Sequence, residues 1–498
     1  MKKLLYRIPI VILVLVALNW LYVRFFYEKD LRTHSEIIEL SWQAAADSCE
    51  IIYLGESSNK TFSWDDADRR KISNFVWDCF PGIRCGDLTK EASHAEVYYY
   101  MLKNLPEGNQ VKTVVVTMNL RSFSFDWIYS DLETPIQKYL VLMKGYPPLM
   151  KRFLLAFKAY PIKSAKEWGG IRREHLYHDA LDFPYDFPYD NAHDWDVARN
   201  LLGCVDRNGE NSQALSELAC HYVKTYAFTI KDDNPRLKDF DNIVKLAQQR
   251  GWNLVFNLMA ENVDRANELV GEDLIFLIKR NRDYLVDRYG DLENVQLVDN
   301  ISSVRDSLFI DRNWTTEHYM EYGRKTIAQN VARALQKYYP EQYCPIMDFP
   351  TIPGQFRNEC EKESIAFWQG GYTFTDEQSW SGDYSSKIFS ESPYSLTLEV
   401  PGSVLPESNK VYVSAQVFQT DTLNEAQLAI QLDYVDEPAK LSYRLLRPNL
   451  CADRRWDFVT FTIPVDSTWY AAERVKLYIY NPSESPVYVD DFDVSFQQ

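Results

Sequence analysis

Residues 51–60 read IIYLGESSNK. The run Ile51–Leu54 is apolar without a break, as a fully buried strand is, and it stops at a glycine, a carboxylate and two adjacent hydroxyls. Two readings fit. The stretch is a turn, or it is a strand end that presents Ser57 or Ser58 as a nucleophile. The second reading commits the chain to a parallel sheet, because open α/β sheets gather their ligands at the carboxyl ends of the strands.

The surrounding sequence supports such a sheet. Further apolar strand candidates are Val111–Met118, Asn253–Met259 and Val295–Val298. Between them lie helical stretches, among them Ala92–Leu105 and Asp273–Tyr289, where Leu274, Leu277, Ile278 and Leu285 form one stripe. Alternation of this kind predicts a three-layer α/β/α fold with a mainly parallel sheet covered on both faces, over residues 29–345. Residues 125–235 break the rhythm with KRFLLAFKAY (151–160), the tandem FPYDFPYD (183–190) and HDWD (193–196). They read as an insertion above the sheet, serving as lid, docking surface or chemically silent elaboration. A proline-rich stretch without period, 346–365, reads as a linker. From 366 to 498 short β-rich segments (SLTLEV, KVYVSAQVF, QLAIQLDYV, FVTFTIPV, VKLYIYN, VYVDDFDVSF) alternate with turns, which predicts an all-β sandwich.

A chain of 498 residues exceeds one ordinary core, and its net charge of −17 repels phosphate backbones, which argues against a nucleic-acid partner. Lys2, Lys3 and Arg7 precede an apolar stretch from Ile8 to Val23 that Phe25–Tyr27 extend to about 20 residues, the span of a bilayer. With no small-residue cleavage site behind it, 1–28 is expected to be an uncleaved transmembrane signal anchor. The bulk of the chain is then extracytoplasmic, periplasmic or at the cell surface, since the positive flank stays inside. A cleaved signal peptide is the competing reading. Eight cysteines suit an oxidising compartment, with Cys79/Cys85 and Cys204/Cys220 spaced to bridge. No zinc-like ligand spacing appears, so no catalytic metal is expected.

Four segments carry candidate chemistry. Gly55-Glu56-Ser57 ends a strand, Gly86 lies in GIRCGDL, Asn119 directly follows the strand 111–118, and His318 is expected at the start of a helix with Ile327, Val331 and Leu335 on one face, where the helix N-terminus helps keep it neutral. A serine hydroxyl needs a neighbouring base to act as a nucleophile, which His318 supplies. Its tetrahedral intermediate needs donors aimed at the developing oxyanion: a serine N–H, a glycine N–H and an asparagine amide. Singly, each segment has a plain structural reading as a turn, a cap or a surface histidine.

Together the segments resemble the SGNH/GDSL hydrolase family over about residues 48–338. Its Gly-Asp-Ser block matches Gly55-Glu56-Ser57, its glycine block Gly86 (with Gly82 nearby), its asparagine block Asn119 and its histidine block His318. The resemblance implies Ser57 as nucleophile, His318 as base and an oxyanion hole of Ser57, Gly86 and Asn119, with no cofactor. The family commonly carries an Asp three residues before the histidine, where this chain has Thr315. Asp311 or Glu317 then orients His318, or the site is a Ser–His dyad. An anchor followed by such a domain also resembles bacterial cell-envelope proteins that add or remove acyl groups on polysaccharides beside a membrane-bound O-acyltransferase. The implied function is a serine esterase or O-acyltransferase on an acylated glycan. The alternative is a non-catalytic glycan-binding or assembly protein with a degenerate hydrolase fold. The C-terminal segment resembles jelly-roll carbohydrate-binding modules, which implies a structural calcium at Asp490, Asp491 and Asp493 and a sugar-stacking platform drawn from Trp380, Tyr384, Trp456 and Trp469.

Overall fold

The computed structural model describes residues 2–159, 164–206, 208–345, 354–361, 365–450 and 454–497. Five strands, β1 (Ile51–Gly55), β2 (Cys85–Thr89), β3 (Thr113–Met118), β4 (Asn253–Leu258) and β5 (Val295–Asp299), form a parallel sheet in the order β2-β1-β3-β4-β5. Every residue of β1 and β3 is buried, because helices cover both faces of the sheet. Strand alternation divides the core in two. Ile52, Leu54, Val114, Val116 and Phe256 point into one helical layer, while Ile51, Tyr53, Val115 and Val255 meet Phe75, Ile327, Val331 and Leu335 in the other. The sequence reading lacked β2. Its sequence CGDLT is half polar because it forms an edge, so the apolar run that marks a central strand is missing.

Among the described residues, six helices occupy the expected insertion between β3 and β4: Phe125–Ile128, Glu133–Met143, Pro148–Ala156, Ala165–His178, Ala192–Leu202 and Gln213–Tyr226. They are packed into the domain rather than perched on it. Leu218, Tyr222 and Tyr226 join the main core. In the FPYD tandem, Phe183 and Phe187 stack on each other, and Phe183 also stacks on Phe276 of the following helical layer.

The N-terminus is one continuous helical rod from Lys2 to His34, with a π turn at Val23–Tyr27. Residues 7–33 form a helix long and apolar enough to cross a membrane, and its most apolar 18-residue stretch has a mean hydropathy of 2.1 and is nowhere buried. Ser35 caps a new helix, Glu36–Ala46, by accepting from Ile38 N, and this helix buries Ile37, Ile38 and Ala44 in the core before the chain enters β1.

Among the described residues, eleven strands form the C-terminal sandwich: β6 (Gln355–Asn358), β7 (Trp368–Gln369), β8 (Phe374–Thr375), β9 (Ser385–Ile388), β10 (Thr397–Val400), β11 (Lys410–Gln419), β12 (Gln427–Asp433), β13 (Lys440–Leu445), β14 (Trp456–Pro464), β15 (Arg474–Tyr480) and β16 (Val487–Gln497). One sheet runs β13-β12-β15-β10-β7 and the other β14-β11-β16-β9-β8, with β6 added on β16. All pairings are antiparallel, and side chains such as Leu398, Val413, Ile430, Leu477 and Val494 fill the space between the sheets. The expected linker therefore ends early. Residues 346–353 lie outside the described residues, but 355–358 are already a strand of the sandwich.

The second sheet packs against the α/β domain through buried charge. Asp457 of β14 faces Arg282 Nη2 at 3.0 Å and Lys279 Nζ at 3.4 Å. Arg305 lies 3.0 Å from Asp264, which also accepts from Thr460 Oγ1 at 3.1 Å, and Lys410 of β11 reaches Glu268 at 2.8 Å. The expected cysteine bridges are absent. Cys85, Cys204 and Cys220 are all free thiols, with Cys204 and Cys220 buried in the core.

Candidate active site

Gly55 closes β1, and a one-turn helix, Ser57–Lys60, starts immediately. The turn is so tight that a Cβ on Gly55 would come 2.8 Å from Asn59 Cβ and 2.9 Å from Thr89 Oγ1, so only glycine fits. This explains the glycine of the opening motif. Ser57 is left half-exposed above the strand end, whereas Ser58 is wholly buried.

Ser57 Oγ lies 3.0 Å from His318 Nε2, and His318 Nδ1 lies 2.6 Å from Asp311 Oδ2. Thr316 Oγ1 donates to the same Asp311 oxygen at 2.6 Å. A carboxylate at Nδ1 selects the tautomer that carries its proton there, which leaves Nε2 free to accept from the serine. Of the two candidate acids, the structure brings Asp311 to the histidine. Glu317 is turned away and sits 2.5 Å from Arg121 Nη2, with its side chain 1% exposed. Thr315 takes no part in the relay; its hydroxyl pairs with Thr225 Oγ1 at 3.1 Å.

His318 is not in a helix. It lies in the loop before Glu321–Gln336, beside the antiparallel bridge of Phe309 with Tyr319, and its carbonyl accepts from Ile310 N at 2.9 Å. That bridge, rather than a helix N-terminus, fixes the ring and carries Asp311 back to it.

Glu56 is a site residue whose role the sequence reading passed over. It is 3% exposed and accepts three bonds: from Ser57 Oγ at 2.8 Å, Ser58 N at 3.1 Å and Asn119 Nδ2 at 3.1 Å. Burial works against its charge, but the Arg121 guanidinium and the bonds from Ser58, Asn119 and Ser57 outweigh it and hold Glu56 below the usual carboxylate range. Ser57 thus has two acceptors within reach, an anion below and an imidazole above. Asn119 uses one amide proton on Glu56, which leaves the second for the cleft. As the first residue of its helix, Ser57 also has no intrahelical acceptor for its N–H.

Gly86 does not join them. It lies within β2 opposite Ile52, where a Cβ would come 2.8 Å from Cys49 Sγ, so it serves close packing beneath the sheet and not the oxyanion hole.

Below Ser57 three buried carboxyls, Glu56, Glu317 and Glu261, surround the single guanidinium of Arg121, which also lies 4.4 Å from the Trp127 ring centroid. One cation cannot sustain three neighbouring anions in a dry site. Glu56 keeps its charge. Burial pushes Glu317 up to about 7 against the pull of Arg121, with Glu56 adding to the rise. Glu261 is raised well above the ordinary range by burial and by Glu317, and it accepts from Tyr226 OH. Arg121 follows Asn119 by two residues in NLRSF, so the signal was adjacent to the motif, but nothing local says that an arginine there will be buried.

In the sandwich, Asp490, Asp491 and Asp493 do not converge. Asp490 accepts from the backbone N–H groups of Trp380 and Ser381, Asp491 from Ser381 Oγ, and Asp493 from Gln355 Nε2. No cluster of three or more His, Cys, Asp or Glu side chains placed to hold a metal occurs among the described residues. The expected stacking platform is also dispersed. Trp469 is buried against Phe496, while Trp380 and Trp456 line a cavity of about 470 Å³ between the domains. Tyr384 stands apart from them, exposed. A different set of rings shares one surface. Tyr443 of β13, Tyr478 and Tyr480 of β15, and Tyr394 point outward from the first sheet, with centroids of neighbouring rings 5.5–6.4 Å apart.

No family model matches the chain, and no curated protein matches it. Solved structures similar to its C-terminal part are carbohydrate-binding modules. A CBM22-1 xylan-binding domain of Paenibacillus barcinonensis Xyn10C shares 15% identity over 28% of this chain and 92% of that chain, with a TM-score of 0.21. The C-terminal family 22 module of Clostridium thermocellum Xyn10B shares 10% over 30% of this chain and 96% of that chain (TM-score 0.24). The C-terminal CBM6 of LamC from Zobellia galactanivorans shares 15% over 28% and 98% (TM-score 0.19).

Proposed function

We propose that the chain is a membrane-anchored serine esterase or O-acyltransferase acting on an acylated polysaccharide outside the cytoplasm. The observation that carries this reading is the continuous relay Ser57–His318–Asp311 at the end of a central parallel strand. In the reaction Ser57 Oγ attacks the acyl carbonyl carbon as its proton passes to His318 Nε2, and Asp311 stabilises the resulting imidazolium. Charge develops on the carbonyl oxygen, where the Ser57 N–H and the second Asn119 amide proton are available as donors. Collapse of the intermediate breaks the ester C–O bond and expels the sugar hydroxyl that carried the acyl group, which takes the proton from His318 and leaves the acyl group on Ser57. A water or a second sugar hydroxyl then repeats the sequence in reverse and frees the serine. No step calls on a cofactor.

The anchor reading is supported by contacts that a cleaved segment would forfeit. Asn19 Oδ1 accepts from Leu149 N at 2.9 Å, and Lys151 Nζ donates to Tyr27 OH at 2.8 Å. The glycan reading is supported by the outward surface of Tyr394, Tyr443 and Tyr480, packed over the buried Tyr478, beside Gln427 and Gln431. Aromatic faces stack on sugar rings, and amides bond their hydroxyls.

Labelling of the full chain with a fluorophosphonate tests the proposal. Wild type is expected to label, and Ser57→Ala and His318→Ala to lose the label. A wild type that neither labels nor turns over a small acetyl ester would leave a glycan-binding protein without catalysis.

A further inference from the structure

The helix Pro148–Ala156 carries an apolar row that stays uncovered among the described residues. Met150, Phe153 and Phe157 follow one another at spacings of three and four, so they share one face, and all three are exposed, Phe157 at 76%. Phe153 and Phe157 lie 6.3 Å apart, and Tyr146 is exposed just before the helix. A patch of this size in a soluble domain marks a contact surface.

What covers it follows from where the helix is held. Its first turn is tied to the end of the apolar rod through Leu149 N to Asn19 Oδ1 (2.9 Å), Lys151 Nζ to Tyr27 OH (2.8 Å) and Arg152 Nε to Asp30 Oδ2 (3.5 Å). The Tyr27 and Asp30 contacts lie where the rod leaves its apolar stretch, the depth of the headgroups if the rod spans a bilayer, and the Asn19 contact lies about 12 Å deeper at the helical rise per residue. Charge agrees with the location. From Lys144 to Lys166 the chain has six lysines and arginines and no acid, in a protein whose net charge is −17. A basic helix with aromatic residues on its apolar face has the composition of an interfacial helix.

The rod and the helix also lie at the catalytic end of the sheet. Glu36, which opens the helix following the rod, is paired at 2.7 Å with Lys90, the residue directly after β2. Ser57 directly follows neighbouring β1, and Pro148–Ala156 belongs to the chain that leaves the carboxyl end of β3.

We propose that Pro148–Ala156 is a second membrane contact, with Met150, Phe153 and Phe157 set into the headgroup boundary of an anionic bilayer, so that the strand-end cleft of Ser57 is turned toward the lipid surface. One transmembrane rod leaves a domain free to rotate and tilt. A second contact at its base removes that freedom. The inference rests on the rod being a retained anchor.

The full chain, reconstituted in vesicles of phosphatidylethanolamine and phosphatidylglycerol containing a diazirine-bearing phospholipid, is irradiated, and lipid adducts are mapped by peptide mass spectrometry. Adducts are expected on residues 7–33 and also on Met150, Phe153 and Phe157. The double variant Phe153→Glu/Phe157→Glu loses the second set and keeps the first, Phe153→Leu/Phe157→Leu restores it, and fluorophosphonate labelling of Ser57 stays unchanged throughout. Phosphatidylcholine in place of the anionic lipid lowers the second set. Adducts confined to residues 7–33 would overturn the second contact while leaving the anchor intact. Adducts on neither segment would overturn both.

Discussion

The cleft around Ser57 and the seam between the two domains are built from the same residue types, aspartate, glutamate and arginine, yet they use charge in opposite ways. In the seam, Asp457 is shut in with Lys279 and Arg282, its side chain 1% exposed, and every partner is fixed. In the cleft, Asp311 is 39% exposed and His318 is 18% exposed, and the serine between His318 and Glu56 has more acceptors than protons. The seam spends desolvation on rigidity. The cleft leaves its groups partly open to water, with its fully buried charge one layer lower, around Arg121.

Removing the members of the relay should give the largest effects. Ser57→Ala is expected to lower turnover of an acetyl ester about 10⁶-fold and Asp311→Asn roughly 10⁴-fold, since a wrong histidine tautomer costs less than a missing nucleophile. Both variants should keep the wild-type melting temperature. Glu317→Gln sharpens the test: a loss as large as that of Asp311→Asn would move the orienting acid to Glu317.

Breaking the seam should do the converse. Asp457→Ala leaves Lys279 and Arg282 buried beside an empty place and is expected to cost about 3–5 kcal/mol in denaturant unfolding, with Ser57 labelling retained in the fraction that remains folded.

The pH dependence of stability separates the two regions more finely. The folded pKa of Glu317 is raised, so the native state holds that proton more tightly than the unfolded chain. The stability this contributes is full below the ordinary value of 4.5 and is lost as pH rises through about 7. Glu317→Gln should flatten the loss between these limits in chemical unfolding followed over a pH series. Glu268 has the opposite sign. Burial would raise it, but Lys410 and Tyr412 override burial and hold it at about 2, so the seam loses this contribution only in strong acid.

The smallest effect belongs to the outer sheet of the sandwich. Tyr443→Ala and Tyr480→Ala should each weaken retention on an acylated polysaccharide by roughly 0.5–1.5 kcal/mol in affinity electrophoresis, with ester turnover unchanged. Equal retention by all variants would remove the sheet from glycan contact.

The contrast also shows why some features could be read from the sequence and others could not. β1, β3, β4 and β5 were legible because buried parallel strands are apolar runs, and β11, β12, β14, β15 and β16 because sandwich strands alternate. β2 and the short strands β6–β9 lie at edges or are only two to five residues long, so neither pattern has room to develop. Ser57, Asn119 and His318 were found through local motifs at strand ends and before a helix. Asp311 remained one of two candidates because its approach to His318 depends on the Phe309–Tyr319 bridge, a pairing with no local signature. Gly86 was misplaced for the converse reason. A glycine demanded by Cys49 across the sheet looks, in sequence, like a glycine demanded by a ligand. The tyrosines of the outer sheet went unnoticed because their common surface exists only once three strands are paired.

The pairing of β6 with β16 has a consequence for synthesis. The first and last strands of the sandwich are neighbours, so the second sheet cannot be completed until β16 has left the ribosome. The α/β domain emerges earlier and must wait with the face later covered by β11 and β14 open to water. Asp264, Glu268, Lys279, Arg282 and Arg305 lie on that face. A hydrophobic seam would be adhesive during the delay, whereas this charged one keeps the half-made chain soluble until β11 and β14 arrive to cover it.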